Sequence, residues 1–223
     1  MKYFTDDFLA FFKDLADNNN RDWFAANKKR YETSVKKPFE YFVSDLIKSV
    51  SKLNKNINIA PSEAIFRINR DIRFSKDKTP YKLNSSAAIA DGGRKNVASP
   101  GLYVELGPEK LALAGGIYMP DKEQLESIRS FIARDPKKLL KLLNDKKFAS
   151  TWGDLQGEKN KIISPEFKAA AADCPYIFNK QFYFWTERKP SIITTDKLLP
   201  TIMEYYTLAI PLSKYLSEAV KSK

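Results

Sequence analysis

LYVELGPEKLALAGGIY, residues 102–118, carries the pattern that decides the fold. Leu102, Val104 and Leu106 alternate with Tyr103 and Glu105, the two-residue period of a strand with one buried face. Gly107-Pro108-Glu109-Lys110 is turn chemistry, and apolar character resumes from Leu111 to Tyr118. Strands joined by so short a turn must lie antiparallel. Gly115-Gly116 within the second strand marks either a bulge or a close approach of another group, a ligand among the candidates.

Outward from this hairpin, Leu83, Ser85, Ala87 and Ile89 alternate with Asn84, Ser86 and Ala88, and a turn follows at Asp91-Gly92-Gly93. Ala64, Phe66 and Ile68 alternate with Ile65, Arg67 and Asn69, predicting a further strand. Before the Asn/Lys-rich loop from Asn54 to Pro61 the period is helical. Thr5 is a candidate cap for Phe8, Phe11, Phe12 and Leu15, and Asn18-Asn19-Asn20 stops that helix. A second pattern from Arg21 carries Trp23, Phe24, Tyr31 and Val35, until Pro38 interrupts it and opens a third helix. That helix has one apolar stripe, Phe39, Phe42, Val43, Leu46, Ile47, Val50 and Leu53.

On the other side, Asp121 with Gln124 makes a capping box for Leu125, Ile128, Phe131 and Ile132. Asp135-Pro136 opens another helix, Thr151 to Lys161 reads as a loop around Trp152, and Ser164-Pro165-Glu166 begins a short helix. Phe182-Tyr183-Phe184-Trp185 has strand character, ended by Glu187 to Pro190. A last helix spans about Thr195 to Val220, with Pro200 near its start and Pro211 as a kink or break. No repeat or low-complexity linker divides the chain. The expected class is α+β, one compact domain over 1–223: a helical layer at about 5–53, a largely antiparallel central sheet at about 64–118, then helices and a further strand at about 121–220.

The chain has 223 residues, a formal charge of +11 and a pI near 9.5, which favours anionic partners. It contains no histidine, so Ser-His and Cys-His catalysis, His-ligated zinc and His general bases are all excluded. Its one cysteine, Cys174, cannot form an intrachain disulfide and is expected to be a small buried or loop residue. The start, MKYFTDDFLAFF, places acids where a signal peptide needs bases, and no apolar run approaches the ~18 residues of a membrane span. A cytoplasmic protein without membrane association is expected.

The charge is concentrated in AIFRINRDIRFSKDKTPYKL, residues 64–83. Arg67, Arg70, Arg73, Lys76, Lys78 and Lys82 face only Asp71 and Asp77 there, a balance of +4 and more than a third of the chain's +11. Folding does not ask for such a loop, because like charges repel and each side chain loses entropy on ordering. Guanidinium offers paired donors in a plane, which suits phosphate and carboxylate. The candidate ligand-binding residues are Arg67, Arg70, Asp71, Arg73, Lys76, Lys78, Tyr81 and Lys82. Asp71 and Asp77 read first as partners that hold the cations, and Asp71 is the candidate base should the site be catalytic. Nearby cations oppose a metal, and no cofactor is implied.

The spacing Arg67-x-x-Arg70-Asp71-x-Arg73-Phe74-x-x-x-Lys78-x-x-Tyr81 resembles the signature of a bacterial and fungal family, domain-of-unknown-function family 2461. Asn19-x-Arg21-Asp22-Trp23-Phe24, Gly115-Gly116-x-x-Met119-Pro120 and Lys180-Gln181-Phe182 extend the resemblance over most of the chain. It implies a single domain of about this length and brings no activity with it.

The basic stretch admits three readings. In the first, Arg67, Arg70, Arg73 and Lys78 clamp a phosphorylated small molecule or nucleotide, with Tyr81 and Lys82 at the rim. In the second, the stretch joins the Lys28-Lys29-Arg30 run in a nucleic-acid-binding stripe. In the third, the arginines pair internally with Asp71, Asp77 and acids such as Glu105, and there is no ligand. The existence of a reaction and the subunit count stay open.

Overall fold

A computed structural model describes residues 1–222; Lys223, the last residue of the expected domain, lies outside the described residues. The chain begins with α1 (Asp6–Asp17), which buries Phe8, Phe11, Phe12 and Leu15 and ends at Asn18. The side chain of Asn20 accepts the Trp23 N–H at 2.9 Å and caps α2 (Arg21–Ala26). From Lys28 the backbone stays helical through α3 (Lys28–Arg30), a π-helical turn (Tyr31–Lys36) and α4 (Lys37–Leu53). Pro38 therefore does not interrupt the helix, contrary to the sequence expectation. The Lys37 N–H reaches back five residues to the Glu32 carbonyl, and this wider turn accommodates a proline ring in the first turn of α4.

The sheet has the order β1 (Ser85–Ile89), β2 (Gly101–Leu106), β3 (Leu111–Ile117), β4 (Phe182–Arg188), every pair antiparallel. Val104 stands opposite Ala87 and Leu113, and Leu113 opposite Thr186, so one register runs across all four strands. Ala87, Ile89, Leu102, Val104, Leu106, Leu111, Leu113 and Phe184 make the buried face and belong to the core. The opposite face carries Tyr103, Glu105, Tyr183 and Trp185, all partly exposed, around the small residues Ala112 and Ala114.

The expected strand over 64–69 is not a regular one. Pro61 opens a helical turn, α5 (Pro61–Ala64), in which the Glu63 carboxylate accepts the Ala60 N–H at 2.8 Å, and Ala64 is drawn into it. Beyond it the chain forms a narrow ribbon tied by Phe66 N–H to Ser86, Lys82 N–H to Ile68 and Arg70 N–H to Pro80, each at 2.9 Å. Proline at 80 has no N–H to return, which keeps the ladder to isolated bridges, Ile65 with Ala87 and Asn69 with Tyr81. At Gly115-Gly116 the approaching group is β4 itself. A Cβ on Gly115 would sit 2.5 Å from the Phe184 ring, and Gly116, at φ +95°, would place one 2.2 Å from the Phe182 carbonyl.

The C-terminal half keeps its cap signals. Asp121 and Gln124 bond reciprocally at 2.9 Å to start α6 (Lys122–Arg134), and Asp135 caps α7 (Pro136–Leu143). Asp145 accepts the Lys147 and Phe148 N–H groups at the start of α8 (Lys146–Trp152). Trp152 is thus the end of a helix and 2% exposed, where a loop was expected; its Nε1 donates to the Tyr205 carbonyl at 3.1 Å. After α9 (Lys168–Asp173) and β4, α10 (Leu198–Lys221) runs through Pro211 and packs on α4, α6, α8 and β3. Among the described residues, no helix is long and apolar enough to cross a membrane.

Candidate functional site

The basic ribbon is folded largely on itself. Nη1 of Arg70 donates to Asp77 at 2.5 Å, to the Thr79 carbonyl at 3.2 Å and to the Thr79 hydroxyl. Asp77 also accepts the Thr79 N–H, and that bond, with the Arg70 guanidinium next, holds its carboxyl at about 2. Arg73 forks onto Asp71, Nε at 2.9 Å and Nη2 at 2.7 Å, and this pairing holds Asp71 at about 2 as well. The ammonium of Lys78 donates to the Ile72 carbonyl at 2.9 Å. Lys76 is exposed and has no hydrogen bond or ion pair among the described residues.

The ends of the ribbon are anchored in different places. Tyr81 is buried: its ring stacks on Phe24 at 4.1 Å, and its backbone exchanges two bonds with the Asn19 amide, at 3.0 and 3.1 Å. Lys82 is half-buried, with Nζ 5.3 Å from the Phe66 ring centroid. Burial pushes its pKa down, against the opposing pull of the Glu105 carboxylate, and the Arg67 charge adds to the depression.

Arg67 differs from the other two arginines. It has no hydrogen bond or ion pair among the described residues, and it lines a cleft of about 830 Å³ between the helical layer and the ribbon. Lys28, Lys36 and Arg94 line the same cleft, against the acids Glu32 and Glu40. Four cations against two carboxylates leave it positive. Arg94, from the short turn Gly93–Lys95, also donates to the Ser62 carbonyl. Phe24, Tyr31, Ile65 and Ile68 give the cleft apolar wall, and Asn69 a polar one. Burial, reinforced by the charges of Glu40 and Glu32, pushes the Tyr31 phenol up to about 12.

A second cleft, of about 780 Å³, opens where β4 meets α10, with Lys110, Arg188 and Lys189 balanced by Glu109, Glu187 and Glu204. Its charge is even, so it offers an anion nothing. No grouping of acids and Cys174 suited to a metal ion occurs among the described residues.

Of the eight residues singled out in the sequence, one, Arg67, lines the positive cleft. Arg70, Asp71, Arg73 and Lys78 are bonded within the ribbon, Lys76 is free on its surface, Tyr81 lies in the core behind Phe24, and Lys82 sits beside Phe66. Arg94 was not anticipated, whereas Lys36 belongs with Lys37 to a pair that reads in the sequence as a solvated face or a widening of the basic surface. Lys36 has a signal, its place on one helical side with Lys28 and Glu32; Arg94 has none beyond the Gly92-Gly93 turn that presents it. Arg30, from the same basic run as Lys28, is instead committed to Asp7 at 2.6 Å and Asp14 at 2.7 Å.

No match was found among curated proteins or among solved structures. A family model, described as conserved hypothetical protein (DUF2461), matches residues 7–215. That span takes in the helical layer, the ribbon, the whole sheet and most of α10, and the chain belongs to this family.

Proposed function

We propose that the cleft between the helical layer and the ribbon binds a phosphorylated small molecule or nucleotide, with Arg67 as its central contact. The observation that carries this reading is the difference in pairing along one ribbon: Arg70 and Arg73 have carboxylate partners, and Arg67 has none. With Glu32 and Glu40 counted, the four cations leave the cleft a surplus of two positive charges, and a dianion offsets that surplus. Arg67 supplies the planar pair of donors, Lys28, Lys36 and Arg94 add positive charge, and Tyr31 and Asn69 add neutral polar groups. The apolar wall suits a ligand with a ring or carbon chain beside its phosphate. Asp71 is tied first to Arg73 on the exposed ribbon and does not line the cleft; the Arg67 charge is a lesser cause of its lowered carboxyl.

A thermal-shift titration with inorganic phosphate, phosphorylated metabolites and nucleotides, at low and raised salt, tests it. A ligand that binds the folded state alone raises the melting temperature. The expected result is one phosphate class that stabilises wild type and Arg73→Ala at both salts and has no effect on Arg67→Ala. Stabilisation that survives Arg67→Ala, or that Arg73→Ala abolishes equally, overturns the reading, as does a panel without effect.

A further inference from the structure

Phe74 is 96% exposed at the tip of the ribbon. Nothing in the fold uses its ring, yet it stands beside the exposed cations Arg73, Lys76 and Lys78, and the Arg73 guanidinium lies 5.9 Å from its centroid. The two acids near the tip are already neutralised, Asp71 by Arg73 and Asp77 by Arg70, which leaves Lys76 and Lys78 as the surplus charge. The tip thus offers a flat apolar ring within net positive charge.

A second run of rings begins at the ribbon's root. Phe66 meets Tyr103 at 6.1 Å between centroids, and Tyr103 meets Trp185 at 6.0 Å with 30° between their planes. These rings lie on the sheet face opposite the core and are partly exposed. Lys82 and Lys110 stand against the two ends of the run, 5.3 Å from Phe66 and 5.7 Å from Trp185. Lys110 is paired with Glu187 at 2.5 Å and Glu105 shares the face with Lys82, so the face is neutral and contributes ring surface alone.

We propose that the ribbon tip and this open sheet face form a second site, for single-stranded nucleic acid, in which a base stacks on Phe74. The occupant has to match the positive charge of the tip and the ring faces of tip and sheet together. A small phosphate meets the charge and leaves Phe74 in water. A duplex hides its base faces. A membrane surface takes the aromatic ring, but one large apolar residue at the tip anchors weakly. A single strand presents a phosphate and an unstacked base at every step, and aromatic platforms beside basic grooves bind it without needing a particular sequence. Arg67, the centre of the small-molecule cleft, is not required here, so the two sites fail separately.

Fluorescence anisotropy with labelled oligothymidine and oligouridine tests the site, with phosphatidylserine vesicles as the competing surface. Wild type is expected to bind both oligonucleotides, more weakly as salt rises. Phe74→Ala should weaken binding about tenfold, the scale of one lost base stack, with an unchanged salt slope and melting temperature. Lys76→Ala should flatten the slope by about 0.7, one phosphate contact on a single strand. Absence of oligonucleotide binding at low salt, or binding indifferent to Phe74→Ala, overturns the proposal. Phe74-dependent capture by vesicles and not by oligonucleotides overturns it in favour of a membrane contact. If Arg67→Ala abolishes oligonucleotide binding, the polymer occupies the cleft and the second site falls.

Discussion

At the scale of single residues, Asp71 and Asp77 give the ribbon a definite pH window. Both carboxyls are held at about 2, down from 3.8, Asp71 first by the Arg73 side chain and Asp77 first by the Thr79 N–H. A depressed carboxyl favours the folded ribbon above the ordinary carboxylate range, and that contribution is lost as pH falls through the depressed value. The pairs are therefore complete at neutral pH and released between pH 3.8 and about 2. Carbon-detected NMR titration should find both midpoints near the lower figure; midpoints at the ordinary value would show that the pairs do not persist in solution. Arg70→Ala should raise the Asp77 midpoint only part of the way, because the larger cause, the Thr79 N–H, remains. Two glycines offer a matched comparison of backbone strain. Gly153, at φ +73°, has nothing within 4 Å of a built Cβ, whereas Gly116, at φ +95°, would drive one to 2.2 Å from the Phe182 carbonyl. Gly153→Ala should cost about 1–3 kcal/mol from its backbone conformation alone. Gly116→Ala adds a backbone collision and should lower the melting temperature by at least ~5 °C, on a scale of about 2–4 °C per kcal/mol for a chain of this size. Equal losses at the two positions would mean that β3 shifts away from β4 at no cost.

At the scale of elements, what could be read in advance was what local chemistry decides. The hairpin of β2 and β3 follows from alternation before a Gly-Pro turn and an apolar return after it, and α6 and α7 start where Asp121 and Asp135 put them. The misread elements are those decided by neighbours in space. Pro38 continues a helix because a π turn precedes it, and residues 64–69 pair irregularly because Pro61 and Pro80 limit the ladder. The same division holds in the site: a dense run of arginines was visible in the sequence, whereas the choice of Arg67 as the unpartnered one depends on where Asp71, Asp77 and Thr79 fall in the folded ribbon. Arg129 shows it most plainly. It sits in the α6 helix beside Ile128, was not singled out in the sequence, and is 4% exposed. Its Nε donates to the Ile177 carbonyl at 3.0 Å and its Nη2 to the Asn179 carbonyl at 3.3 Å, with Glu126 at 3.7 Å. The planar fork thereby fastens α6 to the turn that leads into β4. Arg129→Ala strands both carbonyls and should destabilise by about 3 kcal/mol in a denaturant titration. Arg129→Lys should recover little of this, since one ammonium does not reproduce a rigid fork. Full recovery with lysine would make charge, not geometry, the reason for the residue.

At the scale of the molecule, the buried hydrophobic residues form one cluster from Phe4, just before α1, to Ala219 in the last helix. The chain's ends are tied into the middle on both sides: α4 packs on β1, α10 packs on α4, α6 and β3, and β4 closes the sheet by pairing with β3. Because one cluster joins the helical layer, the sheet and the C-terminal helices, cooperative loss of the whole is the expected outcome. The three tryptophans are placed to test it. Trp23 packs on Phe11 in the helical layer at 5.6 Å, Trp152 on Phe184 beneath the sheet at 4.8 Å, and Trp185 on Tyr103 across the other face at 6.0 Å. In three variants that each keep one tryptophan, guanidinium unfolding followed by fluorescence should coincide with the same variant's far-ultraviolet dichroism. Comparing each variant with itself removes the stability lost to the replacements. A Trp23 midpoint below its own dichroism midpoint would mean that the helical layer opens before the sheet. The cleft that Lys28 and Lys36 share with Arg67 would then be assembled and dismantled by that opening, and binding of a phosphorylated ligand should bring the two midpoints together.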